Sequence, residues 1–261
     1  MRLIDLSSPI DSEFWEPDPV THTVLSAAEG ARHMASEMKL HFDLDFPVDA
    51  LPGGEFLTMD TLTLTSHTGT HVDAPSHYGT ADYGRARHID EMPLEWFHRP
   101  GIVVDVRDVG TGVVGPERLK EEFERLGRVP EPLDIVLLNT GASARVGTPS
   151  YFTDFAGLDG PAVHYLLDLG VKVIGTDAFS LDAPFTYVID QFRRTGDRNV
   201  LWPAHFAGRQ REYCQIERLA NLDTLPPYGF QLTCFPVKVA RSGAGWARAV
   251  AMVDEDGSAS A

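Results

Sequence analysis

Four side chains able to ligate a metal crowd into His67-Thr68-Gly69-Thr70-His71-Val72-Asp73-Ala74-Pro75-Ser76-His77. The histidines at 67, 71 and 77 and the aspartate at 73 all hold odd positions. In an extended strand, side chains two apart share a face, so this parity would gather imidazole and carboxylate donors on one side of one segment. That donor set suits a borderline to hard divalent ion, zinc or manganese. A helix would also pair His67 with His71, but Gly69, the β-branched neighbours and Pro75 oppose one. Pro75 also interrupts the strand before His77, so parity leaves the direction of His77 open.

The elements that must position this row are partly readable. Ahead of it, Thr61, Thr63 and Thr65 alternate with Leu62 and Leu64. This predicts a half-buried strand running into the ligand row, its threonine face lining a polar cavity and its leucines in a core. Short apolar, β-rich runs recur at 3–6, 101–106, 135–140, 171–176, 231–239 and 247–253. Pro116 opens a helix to about Leu126 with Gly127 as its stop, and Pro161 opens another that ends near Gly170. Residues 27–38 read as a further helix and 41–55 as a loop. Residues 178–208 read as one long irregular loop carrying Phe179, Phe185, Tyr187, Phe192 and Trp202, of the kind used as lids or oligomer contacts. The helix-then-strand order of 161–176 argues an α/β fold with few helices relative to strands. With no repeat or linker, residues 1–261 read as one domain, with 254–261 a frayed tail.

A formal net charge of −16 argues against non-specific binding to nucleic acid or to an anionic membrane. It leaves an anionic substrate open, because a bound metal dominates its local field. No apolar run nears the roughly 18 residues of a membrane-spanning helix, and the first residues lack a basic then apolar leader pattern, so the expected location is the cytoplasm. Cys214 and Cys234 read as two isolated core thiols in a reducing compartment.

Downstream, His205 in an aromatic neighbourhood and Glu217 in Gln215-Ile216-Glu217-Arg218-Leu219 stand out. Taken alone, each also reads as an ordinary hydrogen-bonded histidine and a helix-surface carboxylate. Asp177 and Asp182 follow the 171–176 strand, and both read as turn residues. Glu29 and His33 could approach the site from the N-terminal segment or from a neighbouring subunit.

The block from His67 to His77 resembles the signature of the metal-dependent cyclase superfamily, which includes bacterial kynurenine formamidase, isatin hydrolase and polyketide cyclases. The resemblance runs from Ile4-Asp5-Leu6-Ser7 to Gly245-Trp246-Ala247-Arg248-Ala249-Val250. It implies a swivelling β/β/α-type fold with a mixed, barrel-like sheet. It also implies His67, His71 and Asp73 as a first metal-ligand set. In members with two ions, Asp73, His77 and Glu217 would hold the second. His205 matches the proton-transfer histidine, with Glu217 beside it in the catalytic pair. The N-terminal stretches 16–22 and 29–34, with 202–206 and 221–230, resemble the aromatic polyketide cyclase branch.

Two activities share these ligands. The first is closure of a poly-β-ketone chain, free or carrier-protein-linked, by enolate stabilisation, aldol addition and dehydration. The alternative is amide hydrolysis of an aryl formamide or lactam, with His205 protonating the leaving nitrogen. Either takes a small-molecule substrate and one or two zinc or manganese ions. Trp15, Trp202 and His33 are candidate substrate contacts, with Phe179 and Tyr187 as further walls. A structural metal site is the third reading, disfavoured because both cysteines lie far from the cluster. The family resemblance also implies a homo-oligomer.

Overall fold

The computed structural model describes residues 1–254. In chain order the first elements are β1 (Arg2–Asp5), β2 (Thr21–Leu25), α1 (Ala27–Phe42), β3 (Met59–Thr63), β4 (His71–Asp73), β5 (His98–Asp105) and β6 (Gly112–Val114). Next come α2 (Pro116–Leu126), β7 (Ile135–Asn139), β8 (Ala156–Leu158), α3 (Gly160–Asp168), β9 (Val173–Thr176) and α4 (Phe185–Thr195). Last are α5 (Pro203–Gln210), β10 (Cys214–Glu217), β11 (Phe230–Thr233), β12 (Ala244–Trp246) and β13 (Val250–Val253). The chain forms two compact units, Met1–Ile10 with the chain from Ser66 onward, and Asp11–Thr65.

The first unit is α/β. Its nine-stranded sheet runs β1-β13-β11-β5-β7-β9-β10-β4-β12 and curls into a half-barrel. The centre, β5-β7-β9-β10, is parallel, and the flanking pairs are antiparallel. A parallel centre buries both faces, and β7 is apolar up to its last residue and buried throughout. Alternate residues then feed two cores. Val104, Val136, Leu138 and Ile174 pack with Leu119 and Phe123 of α2 and with Leu166 of α3. Val103, Leu137, Val173 and Ile216 pack on the opposite face with Val72 and Leu232. Each such side chain contributes about 1.5–3 kcal/mol through burial.

The two helices opened by proline form where the sequence puts them. α2 ends at Gly127, whose φ of 64° is the left-handed cap that a residue with a Cβ adopts at a cost. Asp159 caps α3 by accepting a bond from the Ala162 amide, 2.7 Å. Both cysteines are free and buried. Among the described residues no helix is long and apolar enough to cross a membrane.

Two local readings need correction. The 61–65 alternation does not run into the ligand row. β3 ends at Thr63, is exposed along its whole length and leaves Leu62 44% exposed. His67 follows in a turn, and Gly69 at φ +67° reverses the chain before β4. The 178–208 segment is also not one loop, because it contains α4 and the start of α5. Phe185, Val188 and Phe192 recur at i, i+3 and i+7, a helical period hidden by the surrounding aromatics.

In the second unit, β2 and β3 pair antiparallel from Thr21↔Thr63 to Leu25↔Met59. α1 starts as read and runs to Phe42. Ser26 and Glu29 form a capping box at its start, which gives the Glu29 carboxylate a structural task. Gly30 lies so close to Leu57 that a Cβ there would sit 1.9 Å from the Leu57 carbonyl oxygen. Trp15 and His33 belong to this unit.

Candidate metal and catalytic site

Strand β4 carries the centre of the site. Its middle residue, Val72, points into the apolar core opposite Ile216 of β10. Pleating therefore turns His71 and Asp73 to the other face together. The register sets Glu217 directly across from His71, and such cross-strand neighbours have Cβ atoms about 5 Å apart. His67 arrives from the turn, and His77 from a short 3-10 helix, Pro75–Tyr78.

The donor atoms converge. His67 Nδ1 lies 3.2 Å from His71 Nε2 and 3.0 Å from Asp73 Oδ1, and His71 Nε2 lies 3.4 Å from Asp73 Oδ1. An ion bound at about 2.0–2.1 Å in tetrahedral geometry separates its ligands by about 3.3–3.4 Å, so this triangle has the size of a coordination face. Glu217 Oε2 sits 3.6 Å from His71 Nε2, and His77 Nε2 sits 3.9 Å from Asp73 Oδ2. Two overlapping ligand groups result: His67, Asp73 and His77, and His71, Asp73 and Glu217. Asp73 belongs to both. Glu217 groups with His71 rather than with His77, unlike the second set implied by the resemblance.

Asp73 provides the test of fit. It is wholly buried, and neither carboxylate oxygen receives a well-aligned hydrogen bond among the described residues, although the His67 and His71 imidazole nitrogens crowd Oδ1 at 3.0 and 3.4 Å. A buried anion without well-aligned hydrogen bonds is costly unless a cation neutralises it. Burial opposes its charge, yet His71, His67 and His77 outweigh burial and hold its carboxyl well below the usual range. Burial and the Asp73 charge push Glu217 upward. Burial lowers His77 to about 4, aided by the other imidazoles, so it is neutral at pH 7 with a lone pair to offer. His71 Nδ1–H donates to the Gly69 carbonyl, 2.9 Å, which leaves Nε2 as the donor facing Asp73 and Glu217. A divalent ion would satisfy the carboxylates and relieve the repulsion between them.

His205 stands on the other side of Asp73, with Nε2 3.9 Å from Asp73 Oδ2 and 3.8 Å from Glu217 Oε1. Its Nδ1–H donates to Asp182 Oδ2 at 2.5 Å. Burial opposes the imidazolium, but the Asp182 hydrogen bond and charge, with Glu217 and Asp73, raise His205 to about 9. Asp182 also accepts from the backbone amides of Ala204, 2.6 Å, and His205, 3.2 Å, capping the first turn of α5 from outside the helix. Tyr213 Oη donates to the Ala204 carbonyl and accepts from Gln215 Nε2, both at 2.6 Å, which ties α5 to β10. Leu181 N donates to Glu217 Oε1, 2.9 Å. Asp182 is therefore a site residue, not only a turn former. Its signal in the sequence was an aspartate 23 positions before a histidine, which no local pattern connects. Asp177 keeps the turn role, accepting from Thr140 and Ser143.

A cavity of about 340 Å³ opens onto these groups, with His67, His77, His205 and Glu217 in its wall. Phe179, Phe185 and Trp202 line it as a row, with successive ring centroids 5.8 and 5.5 Å apart. Trp202 adopts φ +46°, a left-handed conformation that is strained for an indole-bearing residue before proline. Tyr187, read as a wall, instead lines a separate cavity between α3, α4 and α5.

Residues 4–183 match the model of the Cyclase family, described as "Putative cyclase". Kynurenine formamidase of Salinibacter ruber (strain DSM 13855 / M31) is 31% identical over 194 residues, covering 74% of this chain and 79% of that protein. Kynurenine formamidase of Bordetella avium (strain 197N) is 27% identical over 249 residues, covering 95% and 97%. The structure of isatin hydrolase A from Labrenzia aggregata bound to benzyl benzoate superimposes with a TM-score of 0.74 at 24% identity, covering 97% of this chain and 94% of that one. The chain is an enzyme of the Cyclase family.

Proposed function

We propose that this protein is a divalent-metal-dependent hydrolase that cleaves the C–N bond of an aryl formamide or lactam. The observation that carries the reading is the buried Asp73 carboxylate, without well-aligned hydrogen bonds and ringed by His67, His71 and Glu217 at ligand spacing, beside a histidine oriented by a carboxylate. The names of the relatives favour hydrolysis over polyketide ring closure. The order of the two activities read from the sequence is accordingly reversed.

His67, His71, Asp73 and Glu217 would hold the ion, with His77 and Asp73 offering a second position. Bound there, a divalent ion supplies Lewis acidity toward water and a carbonyl oxygen. The protein groups do the rest. Phe179, Phe185 and Trp202 hold a flat ring so that the amide faces His205. Asp182 fixes the His205 tautomer so that Nε2 faces the cavity. His205 then passes a proton to the leaving nitrogen as the C–N bond breaks, which lets the amine depart neutral. Water is consumed, and a carboxylate and an arylamine are formed. The substrate is a small molecule, and the working protein is a homo-oligomer.

The test is to incubate the metal-loaded protein with N-formylkynurenine, isatin and a partly cyclised polyketide and to follow the products chromatographically. Hydrolysis of either amide is expected. Ring closure of the polyketide with neither amide consumed would reverse the assignment.

A further inference from the structure

The structure assigns Arg209 as an anion anchor that selects aryl amides bearing a carboxylate; this deepens the hydrolase reading and rests on it. Arg209 lines the same cavity as His205, Trp202 and Glu217. It lies four residues beyond His205 on α5, so the two share one face, about 6 Å apart along the axis. Its guanidinium is held in place twice. Nε donates to the Tyr78 carbonyl at 2.5 Å, and the guanidinium carbon lies 3.7 Å from the centroid of the Phe206 ring.

Its engagement is partial. Many fork arginines are matched to carboxylates, among them Arg87 with Glu212, Arg118 and Arg125 with Glu122, Arg128 with Glu131 and Asp134, and Arg248 with Asp5, while Arg99 and Arg145 bond backbone carbonyls away from this cavity. Arg209 has no carboxylate partner among the described residues, and only its Nε is engaged. A planar fork whose orientation is already fixed and whose terminal nitrogens are uncommitted is suited to bidentate capture of a carboxylate. Trp202, His205 and Arg209 thus form one row along α5: a ring wall, a proton donor at the amide, and a cation one helical turn further on. The substrate class is an aryl formamide or lactam with a carboxylate on the side of the ring remote from the scissile bond.

The experiment compares 3-formamidobenzoate with its methyl ester, a pair of nearly equal shape that differs in charge. For the metal-loaded wild type, kcat/KM should favour the acid. Arg209→Gln should lower the acid-to-ester ratio about ten- to hundredfold, chiefly through KM, the size expected for a charged hydrogen-bonded pair. Arg209→Lys should fall between, keeping the charge without the fork. A role limited to bracing Tyr78 would lower both substrates together. An unchanged ratio in Arg209→Gln therefore overturns the anchor and leaves the hydrolase reading standing. If the wild type cleaves neither compound, the hydrolase reading is decided by N-formylkynurenine and isatin. Calorimetry with 3-aminobenzoate and its methyl ester then decides Arg209 by itself. Selective weakening of the acid in Arg209→Gln supports the anchor, and equal affinities in both proteins overturn it.

Discussion

Replacing Asp182 by asparagine probes the buried pair behind the proton donor with almost no change in shape. The carboxylate has three bonds: the His205 ring at 2.5 Å, the Ala204 amide at 2.6 Å and the His205 amide at 3.2 Å. An amide group keeps one acceptor oxygen and turns an NH2 toward groups that themselves donate. A hydrogen bond to a charged partner is worth about 1.5–3 kcal/mol. Losing the imidazole bond in the transition state should therefore lower kcat about 10- to 150-fold. The second loss is structural. A buried N–H of α5 left facing a donor costs about 1–3 kcal/mol, and for a chain of this size that lowers Tm by about 2–10 °C. The assay pairs steady-state kinetics on an aryl formamide with metal content by mass spectrometry and a thermal melt. Metal content should hold, because Asp182 is not among the ligands. A kcat within twofold of wild type, with metal bound, would refute the claim that Asp182 orients His205.

His71→Ala removes the central donor of the coordination triangle, and titration calorimetry should find metal affinity weakened by at least about a hundredfold, with activity lost in step. Gly157→Ala would set a Cβ 2.0 Å from the Ala183 nitrogen and 2.1 Å from the Asp182 carbonyl carbon; the backbone has to shift, and a melt should show at least about 1–3 kcal/mol of destabilisation with reduced turnover. Glu122 is buried on α2 between Arg118 and Arg125; burial raises its pKa, but the two arginines outweigh it and leave the group below its ordinary value. A depressed folded-state pKa contributes stability that is present above the unfolded value of about 4.3 and is lost as pH falls through the folded value. Glu122→Gln should therefore cost about 1–3 kcal/mol at pH 7 in urea unfolding, with the gap closing below about pH 4.

What the sequence disclosed followed the range of the forces involved. His71 and Asp73 were legible because a strand imposes period 2 over neighbouring residues. His67 was legible as a member of the cluster, but its place was misread, because Gly69 at φ +67° breaks the period and a turn delivers the side chain instead. α2 and α3 were legible from a proline at one end and a glycine at the other. Glu217 looked like a helix-surface residue, since Arg211, Glu212 and Arg218 flank it; it lies on a four-residue strand that is buried because β9 and β4 pair on either side. Asp182 and Arg209 depend on α5, whose position is set by bonds from Asp182 and Tyr213 and so by tertiary structure. The Cyclase-family signature conveyed the candidate ligand set; the proposed choice of water over an enolate as nucleophile rests on the names of the relatives.

That choice is best decided by running the metal-loaded protein on N-formylkynurenine in 18O-enriched water and weighing the products. Hydrolysis predicts formate carrying one oxygen from the solvent, with none gained by the arylamine. A product formed by loss of water, with no solvent oxygen incorporated, would contradict it.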